Sequence, residues 1–398
     1  MKINLLRAIR LSRLRIEPAV KQQAANNRNK ERFMRYLRVL SPLGEIPLVI
    51  IGKYDWYLDG RIHPQSKTGI AFRELIDAGL SKGSIWYKRS YSRPMNLLLI
   101  VFRITWRLPR VGLLMVSRFS SLKKLDLAAI QVIIGYLGYK AFFSAHNQLR
   151  PVINSDISPF LHMQWAGALA AGNKVMWWQD DHHHYDGFSD ENYCPYRFDI
   201  GAILNSYGLR TAEQKSANAL LFARPSIAIN QNRTIPEKPR LGFASNVLFE
   251  ANEKDCKRIE HLMQSLRAEA VLVRLHPNSK LHGTQPENPW MHFADPKQSI
   301  VEFAKNIDLV VVGNSAVQLK LLCAGVPVIH TTGFDRFGFD LYRYCQLGLV
   351  YGKQNAHEIG LETIQDFYNN FAHRNNLKKY VQIKGDKLEP LNHLKDYV

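Results

Sequence analysis

Three short stretches of this 398-residue chain set reactive side chains directly after apolar runs. The first is QDDHHHYDG, Gln179 to Gly187, which gathers Asp180, Asp181 and Asp186 with His182, His183 and His184. A carboxylate there can take a proton from an acceptor hydroxyl or attack a sugar carbon, with a histidine nearby to tune it. Consecutive histidines alternate in direction on extended chain, and no regular ligand spacing such as HExxH is present. A catalytic carboxylate is therefore the expected use, and a bound metal is not. The second stretch is Arg274-Leu275-His276-Pro277. Residues two apart on a strand point the same way, and the proline ends the strand, so a guanidinium and an imidazole converge as a clamp for phosphate. The third is Gly313-Asn314-Ser315 before an apolar helix. Its glycine lets an anion approach the backbone, and the serine hydroxyl and free helix amides donate to it. Each stretch also has a plain structural reading: a polar surface loop, a strand-end histidine beside a surface arginine, and an ordinary helix cap.

The elements that must position these groups are legible in the second half. RLGFAS (240–245), AVLVRLHPN (270–278), WMHFAD (290–295), DLVVVGNS (308–315) and VPVIHTT (326–332) read as strands. Cys256, Ile259, Leu262, Met263 and Leu266 keep the spacing of one buried helix face over 252–267. Further helices are expected at QSIVEFAKN and at AVQLKLLCAG, the latter closed by Gly325. Strands alternating with helices imply parallel βαβ units and a doubly wound sheet. In such a sheet ligands bind beyond the carboxyl ends of the strands, where all three stretches fall.

The first half repeats this grammar less cleanly. IPLVIIG (46–52), RPVINSD (150–156), NKVMWWQDD (173–181) and FDIGAILNS (198–206) read as strands. SPFLHMQWAGALAAG (158–172) and LRTAEQKSANALL read as helices. The most apolar run, LAAIQVIIGYLGYKAFF (127–143), is broken by Gln131 and Lys140 and falls short of the roughly 20 residues that cross a bilayer. A core helix is expected there. The polar, proline-containing segment NQNRTIPEK divides the chain into an N-terminal unit, 1–229, a linker, 230–239, and a C-terminal unit, 240–398, whose last helices are candidates to return to the first unit.

Composition narrows the function classes. Hydrophobic residues at 46% and charged residues at 22% exclude wholesale disorder. Four scattered cysteines without a CxxC argue against a disulfide scaffold and fit a reducing cytoplasm. No apolar signal core follows the basic N-terminus. The net charge of +19 predicts an anionic partner. It is concentrated: residues 1–40 carry eleven Lys/Arg and two acids, and residues 82–124 carry ten and none. Phe33, Tyr36, Leu37 and Leu40 share a helical face opposite Arg32, Arg35 and Arg38, the pattern of a helix on anionic headgroups or of an ordinary surface helix. Without an RNA-recognition signature, zinc finger or long basic tract, nucleic acid is not the expected partner.

Taken together, the carboxylate run, His276-Pro277 within RLHP, and Asn314-Ser315 at a helix start resemble bacterial glycosyltransferases of the GT-B fold. The resemblance is to transferases of capsule and lipopolysaccharide assembly that use CMP-sialic acid or CMP-Kdo, and to the related CDP-glycerol transferases. It covers most of residues 150–355. It implies an α/β fold of two Rossmann-like doubly wound domains facing a central cleft, and a nucleotide-sugar donor, CMP-linked by preference. One of Asp180, Asp181 and Asp186 would be base or nucleophile. Arg274, His276, Gly313, Asn314 and Ser315 would hold the donor phosphate, and Asp156, Ser158, His182 and His184 would face the acceptor. The resemblance implies no bound metal and no cofactor. The acceptor would be a lipid-linked or phosphorylated glycan, met by a peripheral protein on the inner face of the cytoplasmic membrane. The sequence departs from the pattern in two places. The family's acidic motif is commonly two acids and a glycine, whereas His182 follows Asp180-Asp181 here, and Asn314 stands where the first of two serines is usual. Which aspartate acts is thereby left open. The rival readings are a CDP-polyol phosphotransferase and a non-catalytic membrane- or polysaccharide-binding protein.

Overall fold

Short runs of β-branched and aromatic residues, each followed by a small or polar residue, set the strands of two parallel sheets. A computed structural model describes residues 5, 8–9, 53–58, 67–87, 127–154, 159–179, 194, 196–225, 228–245, 249–276, 279–332, 334, 340, 342–353, 359–383 and 388–397. Its elements are numbered here in chain order. The first unit runs β1 (Trp56–Leu58), α1 (Lys67–Asp77), β2 (Ile85–Tyr87), α2 (Leu127–Ala145), β3 (Arg150–Ile153), α3 (Pro159–Ala171), β4 (Met176–Trp178), β5 (Ile200–Ile203), α4 (Ser206–Lys215) and β6 (Leu220–Ala223). The second runs β7 (Leu241–Ala244), α5 (Glu253–Ser265), β8 (Val271–Arg274), β9 (Met291–Phe293), α6 (Ile300–Lys305), β10 (Leu309–Val312), α7 (Val317–Cys323), β11 (Val328–Thr331) and β12 (Tyr351–Lys353). Then follow α8 (Leu361–Asn369), α9 (Phe371–Val381), β13 (Leu388–Pro390) and a terminal 3-10 helix, Leu391–Tyr397.

The second sheet has the order β12-β11-β10-β7-β8-β9, every pair parallel. Counted from its own first strand this is 3-2-1-4-5-6, the dinucleotide-fold order, with the reversal between β7 and β10. The first sheet is ordered β13-β6-β5-β4-β3-β1-β2, also parallel throughout, and reverses between β1 and β3. Two Rossmann-like doubly wound α/β units in series are what the alternating pattern predicted. Central strands such as β10 and β5 are buried along their whole length, as sheets covered on both faces must be. Each large apolar side chain so buried contributes about 1.5–3 kcal/mol.

The apolar run 127–143 lies in α2, which is long and apolar enough to cross a membrane by length and composition alone. In the fold, 61% of the window Ala128–Ala145 is buried inside the protein. Its partner is α3, approached so closely that a Cβ on Gly167 would sit 2.6 Å from Tyr139 Cβ and 2.8 Å from the Lys140 nitrogen. Only a glycine allows this crossing.

The helix expected over LRTAEQKSANALL differs. It begins earlier, at Ser206 behind the Asn205 cap, and ends at Lys215; Leu220–Ala223 is the strand β6. Ser216, Ala217 and Asn218 interrupt the chain there, and Leu220 and Leu221, expected to close the helix, instead open the strand, because a short apolar run suits either period. The segment between the units runs extended along the second one: Asn230 N donates to Cys323 O, Arg233 N to Gly325 O, and Gln365 Nε2 to Ile235 O. The chain then returns. β13 adds to the edge of the first sheet beside β6, and Ser206 Oγ meets Tyr380 O at the end of α9. Tyr342, in the loop after β11, packs against the cores of both units. The expected strand 46–52, the basic segment 1–40 apart from residues 5, 8 and 9, and all of 82–124 beyond Tyr87 lie outside the described residues.

Candidate functional site

On the second sheet, β8 ends at Arg274, paired in register with Ala244 of β7. The Arg274 side chain makes no hydrogen bond or ion pair among the described residues, and its Nε is shut away from solvent. Burial pulls its guanidinium below the ordinary arginine value. His276, two residues on, is held below the usual histidine value by burial first, then by the neighbouring Arg274 and His282 charges. Its backbone N–H donates to Ser245 Oγ at 3.0 Å, and its carbonyl contacts His282 Nε2 at 2.9 Å. Ser245 follows β7 directly, and its own N–H donates to Arg274 O. It thus ties the two strand ends together. Sequence reasoning passed over Ser245, although its signal, a small polar residue closing RLGFA, was present.

On the other side of β7, β10 runs into Gly313-Asn314-Ser315. Gly313 O accepts from the fully buried Gln318 at 2.7 Å, and Asn314 is buried. In the turn leading into the short α7, whose own N-cap residue, Ala316, makes no side-chain cap, Ser315 Oγ accepts from Val317 N at 3.3 Å. Its hydroxyl proton has no acceptor among the described residues. One strand separates the Arg274 and Gly313 ends, a span on the order of 10 Å at two sheet spacings. Both flank the point where the strand order reverses, with Ser245 between them. The five predicted donor residues therefore stand at or just past the carboxyl ends of β8 and β10, on either side of β7 in one sheet.

On the first sheet, Asp156, Ser158, Asp180, Asp181, His182, His184 and Asp186 lie outside the described residues. The strand ends that carry their loops are described, and each bears a buried polar residue: Asn154 after β3, Gln179 after β4, Asn205 just past β5 and Arg224 after β6. Asn154 donates to Thr68 Oγ1 on α1 at 3.0 Å. Gln179 Oε1 accepts from Leu204 N, and its Nε2 donates to Asn205 Oδ1, both at 2.7 Å. Asn205 Oδ1 also caps α4 through Gly208 N at 2.9 Å. A Cβ on Gly208 would lie 1.9 Å from Gln179 Oε1, so only a glycine admits the Gln179 side chain. Arg224 forks onto Glu74, with Nε and Nη2 each 2.8 Å from a carboxylate oxygen. It stacks 4.3 Å over the Trp178 ring and donates to the Gln179 carbonyl. That carbonyl belongs to the peptide bond leading into Asp180. The belt was missed from the sequence, although VIN, WWQ, AILN and LFAR all set a polar residue just past an apolar strand.

Among the described residues no three His, Cys, Asp or Glu side chains gather to hold a metal ion. The four cysteines are free, and burial pushes the Cys323 thiol up to about 12.

No protein family matches the chain by sequence, and no curated protein does. Solved structures align along most of it. The glycosyltransferase SnogD from Streptomyces nogalater is 12% identical, covering 87% of this chain and 99% of its own, at a TM-score of 0.45. S. aureus MnaA with UDP is 10% identical over 87% and 97%, at 0.47. The UDP-GlcNAc 2-epimerase of Methanocaldococcus jannaschii, with UDP-GlcNAc and UDP, is 11% identical over 87% and 99%, at 0.46. These values decide neither reaction nor substrate. The fold stands on the strand order itself.

Proposed function

We propose that this chain is a glycosyltransferase of the GT-B type that moves a sugar from a nucleotide-activated donor, CMP-linked by preference, to a growing cell-surface glycan. The observation that carries the reading is Arg274: a half-buried guanidinium without a partner among the described residues, at a strand end beside the reversal point. Burying such a group is costly unless an anion meets it. As the bond between sugar carbon and phosphate oxygen breaks, negative charge collects on the leaving phosphate. Arg274 then offers fixed N–H donors, His276 a neutral imidazole, and Ser315 a hydroxyl proton, all in place before the charge develops. On the opposite sheet one of Asp180, Asp181 and Asp186 takes the acceptor hydroxyl's proton or attacks the sugar carbon. The buried belt of Gln179, Asn205 and Arg224 fixes the point from which that loop departs.

The basic segments 1–40 and 82–124 are proposed to dock the protein on the anionic inner face of the cytoplasmic membrane, where lipid-linked or phosphorylated acceptors are built. Chemistry without a bound metal or cofactor fits donors whose phosphate is held by protein groups.

The test is release of nucleotide from CMP-, CDP-, UDP- and GDP-activated donors, with and without a lipid-linked glycan extract. Turnover of one donor class is expected, abolished by one of Asp180→Asn, Asp181→Asn or Asp186→Asn. A product carrying a phospho-alditol would assign the polyol phosphotransferase instead. No turnover of any donor would sink the enzyme reading. Sedimentation with anionic liposomes should be lost when residues 1–40 are deleted and the second patch is neutralised.

A further inference from the structure

A second basic site lies at the other end of the first sheet. The strands β3 to β6 begin around a cavity of about 440 Å³, within the size range of ligand sites. Arg150 at the start of β3, Lys174 before β4, Arg197 before β5 and Lys215 at the end of α4 line it. None of the four makes an ion pair among the described residues; Arg150 only lies 5.5 Å over the Trp56 ring. Asp199 is the one carboxylate in the lining, and its Oδ2 already accepts from Val175 N at 2.9 Å. The cavity therefore holds three more positive charges than negative ones. Like charges around one recess repel, and an anion relieves that repulsion.

The walls are fixed before any ligand arrives. Trp165 Nε1 donates to Arg197 O at 2.9 Å, and Phe198 N to Ser216 Oγ at 2.9 Å. Asn173, beside Lys174, donates to the carbonyls of His146, Asn147 and Leu149. The rim also carries exposed apolar surface. Among the described residues four large hydrophobic side chains are exposed, and two of them, Leu220 and Tyr397, border this cavity. Tyr397 comes from the returning C-terminal 3-10 helix, its ring edge-on to Phe222 at 5.6 Å. The strand ends that carry the reaction loops lie on the order of 10 Å away, at the opposite edge of the sheet.

We propose that this cavity is a second anion site that binds a phosphate ester, its phosphate among Lys174, Arg197, Lys215 and Arg150 and its uncharged body against Leu220 and Tyr397. The site is independent of the donor crevice and of the reaction assigned to it. The phosphate can belong to a soluble phosphorylated sugar or to a lipid headgroup, and the experiment separates the two. The full chain is titrated calorimetrically with glucose 6-phosphate, and in parallel floated with vesicles of phosphatidylglycerol or of neutral phosphatidylcholine. Lys174→Ala/Arg197→Ala removes two exposed, unpaired cations and should leave the melting temperature unchanged. Loss of a charge-assisted contact predicts binding at least about tenfold weaker in that variant. Lys215→Gln, on another wall, should weaken binding in the same direction and guards against a folding defect in the double variant. Arg274→Gln should leave this binding as it was. A loss confined to glucose 6-phosphate assigns a soluble ligand; a loss confined to phosphatidylglycerol vesicles assigns a headgroup. Binding that is absent in both arms, or equal in wild type and variants, overturns the proposal.

Discussion

At Arg274 two demands meet: a guanidinium withdrawn from water and a strand end that offers it no acceptor among the described residues. A lysine there keeps the charge but loses the planar fork that grips a phosphate at two points. Arg274→Lys is therefore expected to lower kcat/KM for the donor about 10–100-fold with the fold intact, read by steady-state kinetics beside a thermal melt. An unchanged kcat/KM would remove Arg274 from the site. Gly208 poses the steric counterpart. In Gly208→Ala the methyl would displace Gln179 from its contacts with Leu204 and Asn205. A stability loss of about 1–3 kcal/mol by urea unfolding is expected, the usual cost of forcing volume into a packed site. At this scale the sequence was informative about which side chains stand at strand ends. The small polar residue closing RLGFA marked Ser245 as a strand end, but its tie to Arg274 and His276 follows only from the neighbour across the sheet.

Among the elements, the Arg224–Glu74 pair joins β6 to α1 across 150 residues and sits 5% and 18% exposed. Removing one partner of a buried pair strands the other, so Arg224→Met should cost about 3–5 kcal/mol in urea unfolding, and Glu74→Gln should move stability in the same direction. Loss below 1 kcal/mol would show that this pair does not anchor β6 to α1. Through β11 the second unit's elements were legible nearly to their boundaries, because its strands are apolar runs and its helices carry caps: Asn252 for α5 and a Ser299/Glu302 capping box for α6; β12, α8 and α9 were not delimited from the sequence. The first unit was less legible. Strands in both units are three or four residues long, but in the first one LLFA fits a helix face as well as a strand. The strand order, which brings Arg274, Ser245 and Gly313 to one crevice, depends on pairings between residues far apart in sequence and no local pattern encodes it.

For the molecule as a whole, histidines set a pH dependence. His146, His276 and His373 are all held below the ordinary value, each chiefly by burial. His373 is the most enclosed: Nε2 lies 2.9 Å from Leu349 O, and Nδ1 is buried without a partner. The unfolded chain takes up these protons near pH 6.5, while the folded chain resists until lower pH. Stability should hold above that pH and fall as pH drops below it. Melting temperatures at pH 7.5 and 5.5 check this, and His373→Leu should shrink the difference; a melting temperature that rises on acidification would refute it. The +19 charge is concentrated in residues 1–40 and 82–124, the segments proposed to dock on the membrane. Nucleotide recognition at Arg274 is tested most directly by equilibrium titration of wild type and Arg274→Gln with CMP, CDP and UDP. Saturable binding of at least one nucleotide is expected, weakened about tenfold or more by the substitution. Absence of nucleotide binding, or equal affinity in the two proteins, would contradict it.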